Sequence, residues 1–214
     1  MTSTLTTVLA SAPLAAGWAA HALWWRHRVD QARRDPLTGL PGRKLFQRQA
    51  EKLLRARTAA VVLVDLDRFK ALNDTYGHGA GDTVLATSAA RLCRWAEEHG
   101  GCVARLGGDE FAAAITAPDD ISLALAALHA SLCRPLPYRG HVVSVGASVG
   151  AYCAELLPEP PLDRAMRRAD EAMYAAKRSG GGWRIAETPT PAMTTTNGRR
   201  TGRPGTAAPT GGPR

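Results

Sequence analysis

The chain has 214 residues, 45% of them hydrophobic, and a formal net charge of +8 at pH 7. Residues 1–34 and 187–214 each carry a net charge of +3, which leaves +2 for residues 35–186. The length allows one domain with a hydrophobic core plus appendages, and the excess positive charge lies outside that domain, which argues against nucleic-acid binding. The four cysteines lack the spacing of a zinc site or a disulfide framework, so we expect reduced, mostly buried thiols.

The N-terminal stretch is hydrophobic and is followed by a basic linker. Residues 2–25 contain no Asp, Glu, Lys or Arg, and four arginines follow between positions 26 and 34. A helix over this stretch would just cross a hydrocarbon core of about 30 Å, with the arginines on the cytoplasmic side. A soluble amphipathic or dimerising helix and a cleaved signal peptide are the alternatives, since the stretch is only moderately hydrophobic. The sequence leaves open whether residues 2–25 tether a cytoplasmic domain to the inner face of the membrane.

The folded part begins with a turn-rich stretch, Asp35–Arg43, and a helix predicted from Lys44 to Arg57. Ala59–Val64 follows, and its β-branched residues are typical of a buried strand. This strand leads directly to Asp65 and Asp67. Strand ends beside loops are common ligand sites, and we expect these two carboxylates to diverge so that only one reaches a shared metal. Asp67 is also explained as a helix N-cap.

Residues 68–76 predict one or two helical turns with Lys70 and Asn73 on one side. The glycines of residues 77–82 are expected to break the chain before a long helix. Asp82 is placed to cap that helix, which explains this residue without any binding role.

Residues 102–115 predict two strands joined by a tight hairpin turn. Gly107 and Gly108 favour such a turn because glycine adopts positive φ without a steric penalty. Asp109 and Glu110 follow at the tip of the hairpin. Adjacent carboxylates repel unless a cation lies between them, so the tip predicts a metal or phosphate–metal site. A plain solvent-exposed turn is the alternative when the hairpin is taken alone.

The remaining predicted elements are a helix over residues 118–133, a strand over 141–152, a helix over 161–178 and an edge strand over 183–186. Gly146 and Gly150 mark places where the strand backbone approaches another element closely. Lys177 lies in the last turn of the final helix, where the helix dipole alone would explain a cation. Residues 187–214 lack apolar periodicity and predict a disordered tail. The order of elements over 35–186 predicts an α+β domain whose central, mostly antiparallel sheet is flanked by helices.

Five segments together carry a resemblance to a known family. In chain order they are Asp35–Leu40 (DPLTGL), Asp65–Asp74 (DLDRFKALND), Gly77–Asp82 (GHGAGD), Arg105–Phe111 (RLGGDEF) and Ala169–Lys177 (ADEAMYAAK). Over residues 35–186 the chain resembles the GGDEF domain, the diguanylate cyclase family. The resemblance implies a palm-like fold similar to that of nucleotidyl cyclases. It also implies an enzyme that condenses two GTP into cyclic di-GMP, releases two pyrophosphates and works as a homodimer facing site to site.

The resemblance further assigns a metal centre and catalytic residues. Two Mg²⁺ or Mn²⁺ ions per active site would be held by Asp65, the Leu66 carbonyl, Asp109 and Glu110. Asp109 and Glu110, together with Lys70, are the implied catalytic residues. Oxygen ligands of this kind suit hard divalent cations, which agrees with the metal site predicted from the hairpin itself.

The implied substrate site draws on other segments. Asn73 and Asp82 would read the guanine edge, which reverses the plain capping interpretation of Asp82. Lys70 and Lys177 would neutralise the triphosphate while the 3′-hydroxyl of the opposing GTP attacks the α-phosphate. Gly107 and Gly108 would let the hairpin approach the nucleotide closely.

Three positions depart from the family pattern. Gly42 stands where Asn is usual, and Gly181 stands where a phosphate-binding Arg is usual, which would weaken GTP binding. Glu98–Gly101 lacks the R-x-x-D product-inhibition motif, so feedback through that site is not expected. The metal-binding and base-reading positions are intact, which favours an active enzyme. A catalytically weak or inactive module that binds GTP and acts in regulation is the alternative, whereas a pure dimerisation domain would leave the acidic hairpin unexplained.

Overall fold

The structure is a computed structural model that describes Trp18 and residues 34–55, 59–154 and 162–186. The hydrophobic helix predicted over residues 2–25 lies outside these residues except for Trp18, and the predicted tail over 187–214 lies wholly outside them. Among the described residues, no helix combines the length and apolar character that crossing a membrane requires.

The described part of the chain forms five helices and seven strands. They are α1 Arg43–Leu54, β1 Ala59–Asp67, α2 Phe69–Tyr76, α3 His78–Glu98, β2 Cys102–Gly107, β3 Glu110–Thr116, α4 Ile121–Leu132, β4 Leu136–Tyr138, β5 His141–Val143, β6 Gly146–Cys153, α5 Leu162–Arg178 and β7 Gly182–Ile185.

One five-stranded sheet organises the domain, with strand order β2–β3–β1–β6–β7. The pairings β2–β3, β3–β1 and β1–β6 are antiparallel, and only the edge strand β7 runs parallel to its neighbour β6. β1 is therefore the central strand. The predicted α+β domain with a mostly antiparallel sheet and helices on its faces is confirmed.

Alternate residues of β1 enter two separate hydrophobic clusters. Val62, Val64 and Leu66 belong to the cluster that includes α3 and α4, while Val61 and Leu63 belong to the one that includes α1 and α5. This alternation follows from the two-residue period of a strand, and it shows that both faces of the sheet are covered by helices. Positions that continue the Val61 and Leu63 series lie on the α5 face of the sheet.

The long helix α3 begins earlier than its glycines predict. Its N-cap is Gly77 and its first residue is His78, so Asp82 lies inside the helix and the prediction that Asp82 caps it is wrong. The glycines are needed for tertiary packing: a Cβ on Gly81 would overlap the Asn73 side chain, and one on Gly79 would lie 2.7 Å from the Tyr138 hydroxyl. Close packing of neighbouring elements here outweighs the low helix propensity of glycine.

The strand predicted over residues 141–152 is in fact two strands, and β4 was not predicted. β4 and β5 form a separate two-stranded sheet joined by a turn in which Arg139 and Gly140 have φ of 46° and 82°. Two successive positive φ values are characteristic of a type I′ hairpin turn. Three-residue strands carry too little periodicity for a sequence pattern to reveal them.

Gly42, one of the departures from the family pattern, is the N-cap of α1. Its backbone is extended, with φ of −80° and ψ of 172°, and its carbonyl accepts hydrogen bonds from the amides of Leu45 and Phe46. An asparagine at an N-cap would add a side-chain acceptor, whereas glycine at this position costs only a few tenths of a kcal/mol. Gly42 therefore affects the start of a helix.

Candidate active site

The site is built around Asp65, which is buried near the C-terminal end of β1. Strand pairing places Asp65 directly opposite Glu110 of β3 on one side and Ser148 of β6 on the other. A residue on a central strand is held by neighbours on both sides, so this carboxylate has little freedom to move.

Lys177 reaches Asp65 from the last turn of α5. The Lys177 Nζ donates a hydrogen bond of 2.6 Å to the Asp65 Oδ1, and the two groups form an ion pair. The pair joins residues 112 positions apart in sequence. The helix-dipole explanation of Lys177 is therefore incomplete, because its ammonium lies on the buried carboxylate.

The tip of the hairpin between β2 and β3 lies beside the C-terminal end of β1. Gly107 and Gly108 have φ of 147° and 54°, so the prediction that the turn needs positive φ at glycines is confirmed. The Asp109 carbonyl accepts a hydrogen bond of 3.3 Å from the Leu66 amide. This contact places Asp109 beside the Asp65–Leu66 segment and brings together the four positions of the predicted metal centre.

Arg105 holds the hairpin to the N-terminal turn, a role that the sequence analysis did not identify. Its guanidinium donates to both carboxylate oxygens of Asp35 at 3.0 Å, and its Nε and second terminal nitrogen donate to the Gly108 carbonyl at 3.0 and 2.7 Å. Burial raises the pKa of Asp35, but hydrogen bonds from Thr38 and Arg105 outweigh it and hold that pKa below its ordinary value. One side chain thus fixes the turn that precedes Asp109.

Arg105→Ala is expected to lower the free energy of unfolding by about 2 kcal/mol, because the charged pair with Asp35 and the two hydrogen bonds to the Gly108 carbonyl are lost. Since the pKa of Asp35 is lowered on folding, its contribution is present at neutral pH and is lost as the pH falls through that lowered pKa. The difference between wild type and Arg105→Ala should therefore shrink on acidification. Urea denaturation at neutral and acidic pH measures this difference in the free energy of unfolding.

Arg105→Lys is the matched control for this prediction, since it keeps the charge but loses the planar fork that reaches both partners. We expect the lysine variant to recover less than half of the lost stability. Equal stability of all three proteins at neutral pH would show that the hairpin does not depend on this side chain.

Asp67 and Asp65 lie on the same face of β1, as residues two apart in a strand do, so the expectation that they diverge is wrong. The Asp67 Oδ1 accepts a hydrogen bond of 2.7 Å from the Ser148 hydroxyl. Asp67 is also not a helix cap, because α2 begins after Arg68, which has φ of 54° and makes no side-chain capping bond. Ser148 was not predicted as a site residue, because an isolated serine in a strand forms no recognisable sequence motif.

The predicted base-reading residues lie on α2 and α3. The Asn73 Oδ1 is buried against Gly81 without a hydrogen-bond partner. Asp82 is exposed one residue beyond Gly81, and Lys70 is exposed in the first turn of α2.

Gly181 lies in a turn that only glycine adopts easily. Gly180, Gly181 and Gly182 have φ of 93°, 103° and 99°, and the Gly181 amide donates to the Ala176 carbonyl at 3.0 Å to close the end of α5. A Cβ on Gly181 would also lie 2.9 Å from the Asp67 Oδ2. An arginine, the residue usual at this position in the family, would therefore strain this turn.

The side chains at this site fit a divalent cation by their chemical type. Asp65, Asp109 and Glu110 offer only oxygen ligands, as Mg²⁺ prefers. No three histidine, cysteine or acidic side chains in the described part of the chain converge closely enough to hold a metal ion. The donor set therefore fits the ion by its chemistry, and the Asp65 carboxylate is occupied by Lys177.

The fold and the site define a nucleotidyl-cyclase type of domain with an acidic hairpin at the end of its central strand. The family profile described as "Diguanylate cyclase, GGDEF domain" matches residues 32–182. The chain belongs to the GGDEF domain family.

Curated relatives and solved structures agree with this assignment. An uncharacterized 19.3 kDa protein of Streptomyces ambofaciens is 48% identical over 79% of this chain and 92% of its own length. Diguanylate cyclase DgcZ of Escherichia coli is 38% identical over 68% of this chain, which spans only 50% of that cyclase. The GGDEF domain of TpbB from Pseudomonas aeruginosa superimposes with a TM-score of 0.65 at 38% identity, over 72% of this chain and 94% of that domain. The chain spans half or less of the length of the relatives that are named diguanylate cyclases.

Proposed function

We propose that this protein is a Mg²⁺-dependent diguanylate cyclase that acts as a site-to-site homodimer. The observation that carries the proposal is the meeting of Asp65, Glu110, the Asp109 backbone and Lys177 at one end of the central strand. Acidic oxygen ligands beside a lysine are the groups that phosphoryl-transfer chemistry requires. We further propose residues 35–186 as the catalytic domain, 1–34 as an N-terminal helix and linker, and 187–214 as a tail.

In this proposal the side chains bind and orient one GTP per subunit. The Asn73 amide donates to the guanine acceptor edge and the Asp82 carboxylate accepts from its donor edge. Lys70 and Lys177 neutralise the triphosphate, and the exposed glycines of the hairpin, Gly107 and Gly108, leave open space for the nucleotide. Two subunits facing each other then place each ribose opposite the partner's triphosphate.

The metal centre of this proposal uses Asp65, the Leu66 carbonyl, Asp109 and Glu110. Bound Mg²⁺, or Mn²⁺ in its place, would stabilise the negative charge that develops on the α-phosphate and the departing pyrophosphate. Each attack of a 3′-hydroxyl forms one phosphodiester bond and breaks one bond between the α- and β-phosphates. Two such attacks close the ring and release two pyrophosphates.

The test is to incubate the full-length protein with GTP and Mg²⁺ and separate the nucleotides by chromatography. We expect cyclic di-GMP to form with a specific activity that rises with protein concentration, because an active dimer is assembled from subunits that each carry half of the reaction. Linear dependence of the total rate on protein well below the dissociation constant of the dimer, measured by sedimentation, would contradict the shared site.

A second function, regulatory GTP binding without turnover, has one observation in its favour. Gly181 replaces the arginine usual in the family, and its positive φ and the Asp67 carboxylate, which would lie 2.9 Å from an added Cβ, do not suit an arginine. Saturable GTP binding with no cyclic di-GMP at the highest protein concentration would favour this function over the cyclase.

A further inference from the structure

The ion pair between Lys177 and Asp65 joins two side chains of very different exposure. The Asp65 side chain is 6% exposed on the central strand, whereas the Lys177 side chain is 40% exposed in the last turn of α5. The carboxylate is therefore enclosed by the protein, whereas the ammonium stands on a long flexible stem at the edge of the site, where water can replace its contacts.

A buried carboxylate requires a positive partner, because an unpaired charge in the protein interior is strongly unfavourable. In the structure the Lys177 ammonium supplies positive charge at 2.6 Å from the Asp65 Oδ1. A divalent cation on the same oxygen would stand within a few ångströms of that ammonium, and the two positive charges would repel each other. Metal and ammonium therefore exclude one another at this oxygen.

We infer that Lys177 is a tethered competitor of the metal at Asp65, and that loading of the site is an exchange in which a metal–triphosphate complex displaces the ammonium from the carboxylate onto the phosphates. The inference rests on the proposed metal role of Asp65 and phosphate role of Lys177. No covalent bond changes in this step. At the Asp65 carboxylate the metal ion replaces the ammonium, and the displaced ammonium then pairs with the phosphates.

The exchange makes metal and nucleotide binding cooperative. A metal ion alone must remove Lys177 from Asp65 and leave the ammonium without its partner, so binding of the free ion is weakened. A metal ion that arrives with a triphosphate brings the new partner of Lys177 with it, so binding of the complex is not weakened. The site is thereby selective for the metal–nucleotide complex over the free ion.

The test measures Mn²⁺ binding to the full-length protein without nucleotide by electron paramagnetic resonance. Lys177→Met is expected to bind Mn²⁺ on the order of tenfold more tightly than wild type, the scale of a charged hydrogen bond at a partly exposed site. The same variant is expected to bind GTP with Mg²⁺ more weakly. Opposite changes of the two affinities are not produced by general damage to the fold.

Arg178→Met is the matched control, since it removes a positive charge from the neighbouring exposed position of the same helical turn. It reports the effect of net charge alone, and we expect at most a twofold change that disappears at high ionic strength. Asp65→Asn is the second control and is expected to reduce Mn²⁺ binding strongly in both the wild-type and the Lys177→Met background.

A second readout follows the lysine itself. The ε-methylene NMR signal of Lys177, assigned by its loss in Lys177→Met, is expected to shift when Mg²⁺ and a non-hydrolysable GTP analogue are added. Equal Mn²⁺ affinity of wild type and Lys177→Met, with binding lost in Asp65→Asn, would overturn the exchange and leave the metal site standing. Unchanged Mn²⁺ binding in Asp65→Asn would overturn the metal role of Asp65 and the exchange together.

Discussion

Asp109→Asn is expected to reduce cyclic di-GMP formation by at least about a hundredfold, the scale on which one electrostatic group in an active site acts. The substitution keeps the size of the side chain and removes a negative charge from the tip of the hairpin. The backbone of Asp109, which accepts the hydrogen bond from Leu66, is retained, so the hairpin is expected to keep its position. Product formation at saturating GTP and Mg²⁺ is the quantity to measure.

Asp119→Asn is the matched control for this experiment. Asp119 is exposed in the loop before α4, and the neighbouring Asp120, not Asp119, caps that helix through the Leu123 amide. Asp119→Asn removes the same negative charge from the protein as Asp109→Asn does, at a position outside the site. If Asp109→Asn keeps more than a third of wild-type activity while both variants remain folded by circular dichroism, Asp109 has no essential part in the chemistry.

The sequence was informative wherever a local rule decides the structure. Gly107 and Gly108 mark a turn that needs positive φ, and the structure has positive φ at both. Gly150 marks a close approach of two elements, and its strand does lie against α5. Helix α5 itself follows from its strongly periodic apolar residues and begins within one residue of the predicted start. For the glycines one residue type at one position is sufficient evidence, and for α5 the helical period of its apolar residues is.

The sequence was uninformative where distant residues meet. Arg105 and Asp35 are 70 positions apart, and neither shows by local pattern that the other is its partner. The glycines before Asp82 read as helix breakers because the reason for them, contact with Asn73 and Tyr138, exists only in the folded protein. The family resemblance completed the set of candidate site residues, but the contacts that position them, from Arg105, Ser148 and the Lys177 ammonium, exist only in the folded protein.

Gly150→Ala is expected to destabilise the protein by about 3 kcal/mol, near the upper end of what overpacking costs. A Cβ at this position of β6 would overlap the Ala169 carbonyl oxygen and the Met173 amide nitrogen, and would lie 2.7 Å from the Met173 Cα. These are backbone atoms of α5, which cannot rotate away as a side chain does, so the whole helix must shift. Thermal unfolding is expected to show a melting temperature lower by roughly 10 °C.

Gly140→Ala separates crowding from backbone strain. Gly140 lies in the β4–β5 turn with φ of 82°, and a Cβ there would meet nothing within 4 Å. Gly140→Ala is therefore expected to lower the free energy of unfolding by about 1 kcal/mol, because its only penalty is a side chain in the left-handed region. A melting temperature of Gly150→Ala at or above that of Gly140→Ala would mean that α5 moves away from β6 at little cost.

Gly150→Ala also tests whether the position of helix α5 determines the geometry of the site. Helix α5 packs against β6 and β1 and ends in Lys177, so a shift forced at Ala169 and Met173 is carried along a rigid helix to the ammonium. At a temperature where Gly150→Ala is still folded, we therefore expect weaker GTP binding than in Gly140→Ala. Equal GTP affinity in the two variants would show that the long flexible stem of Lys177 absorbs the displacement. The geometry at Asp65 would then not depend on the position of α5.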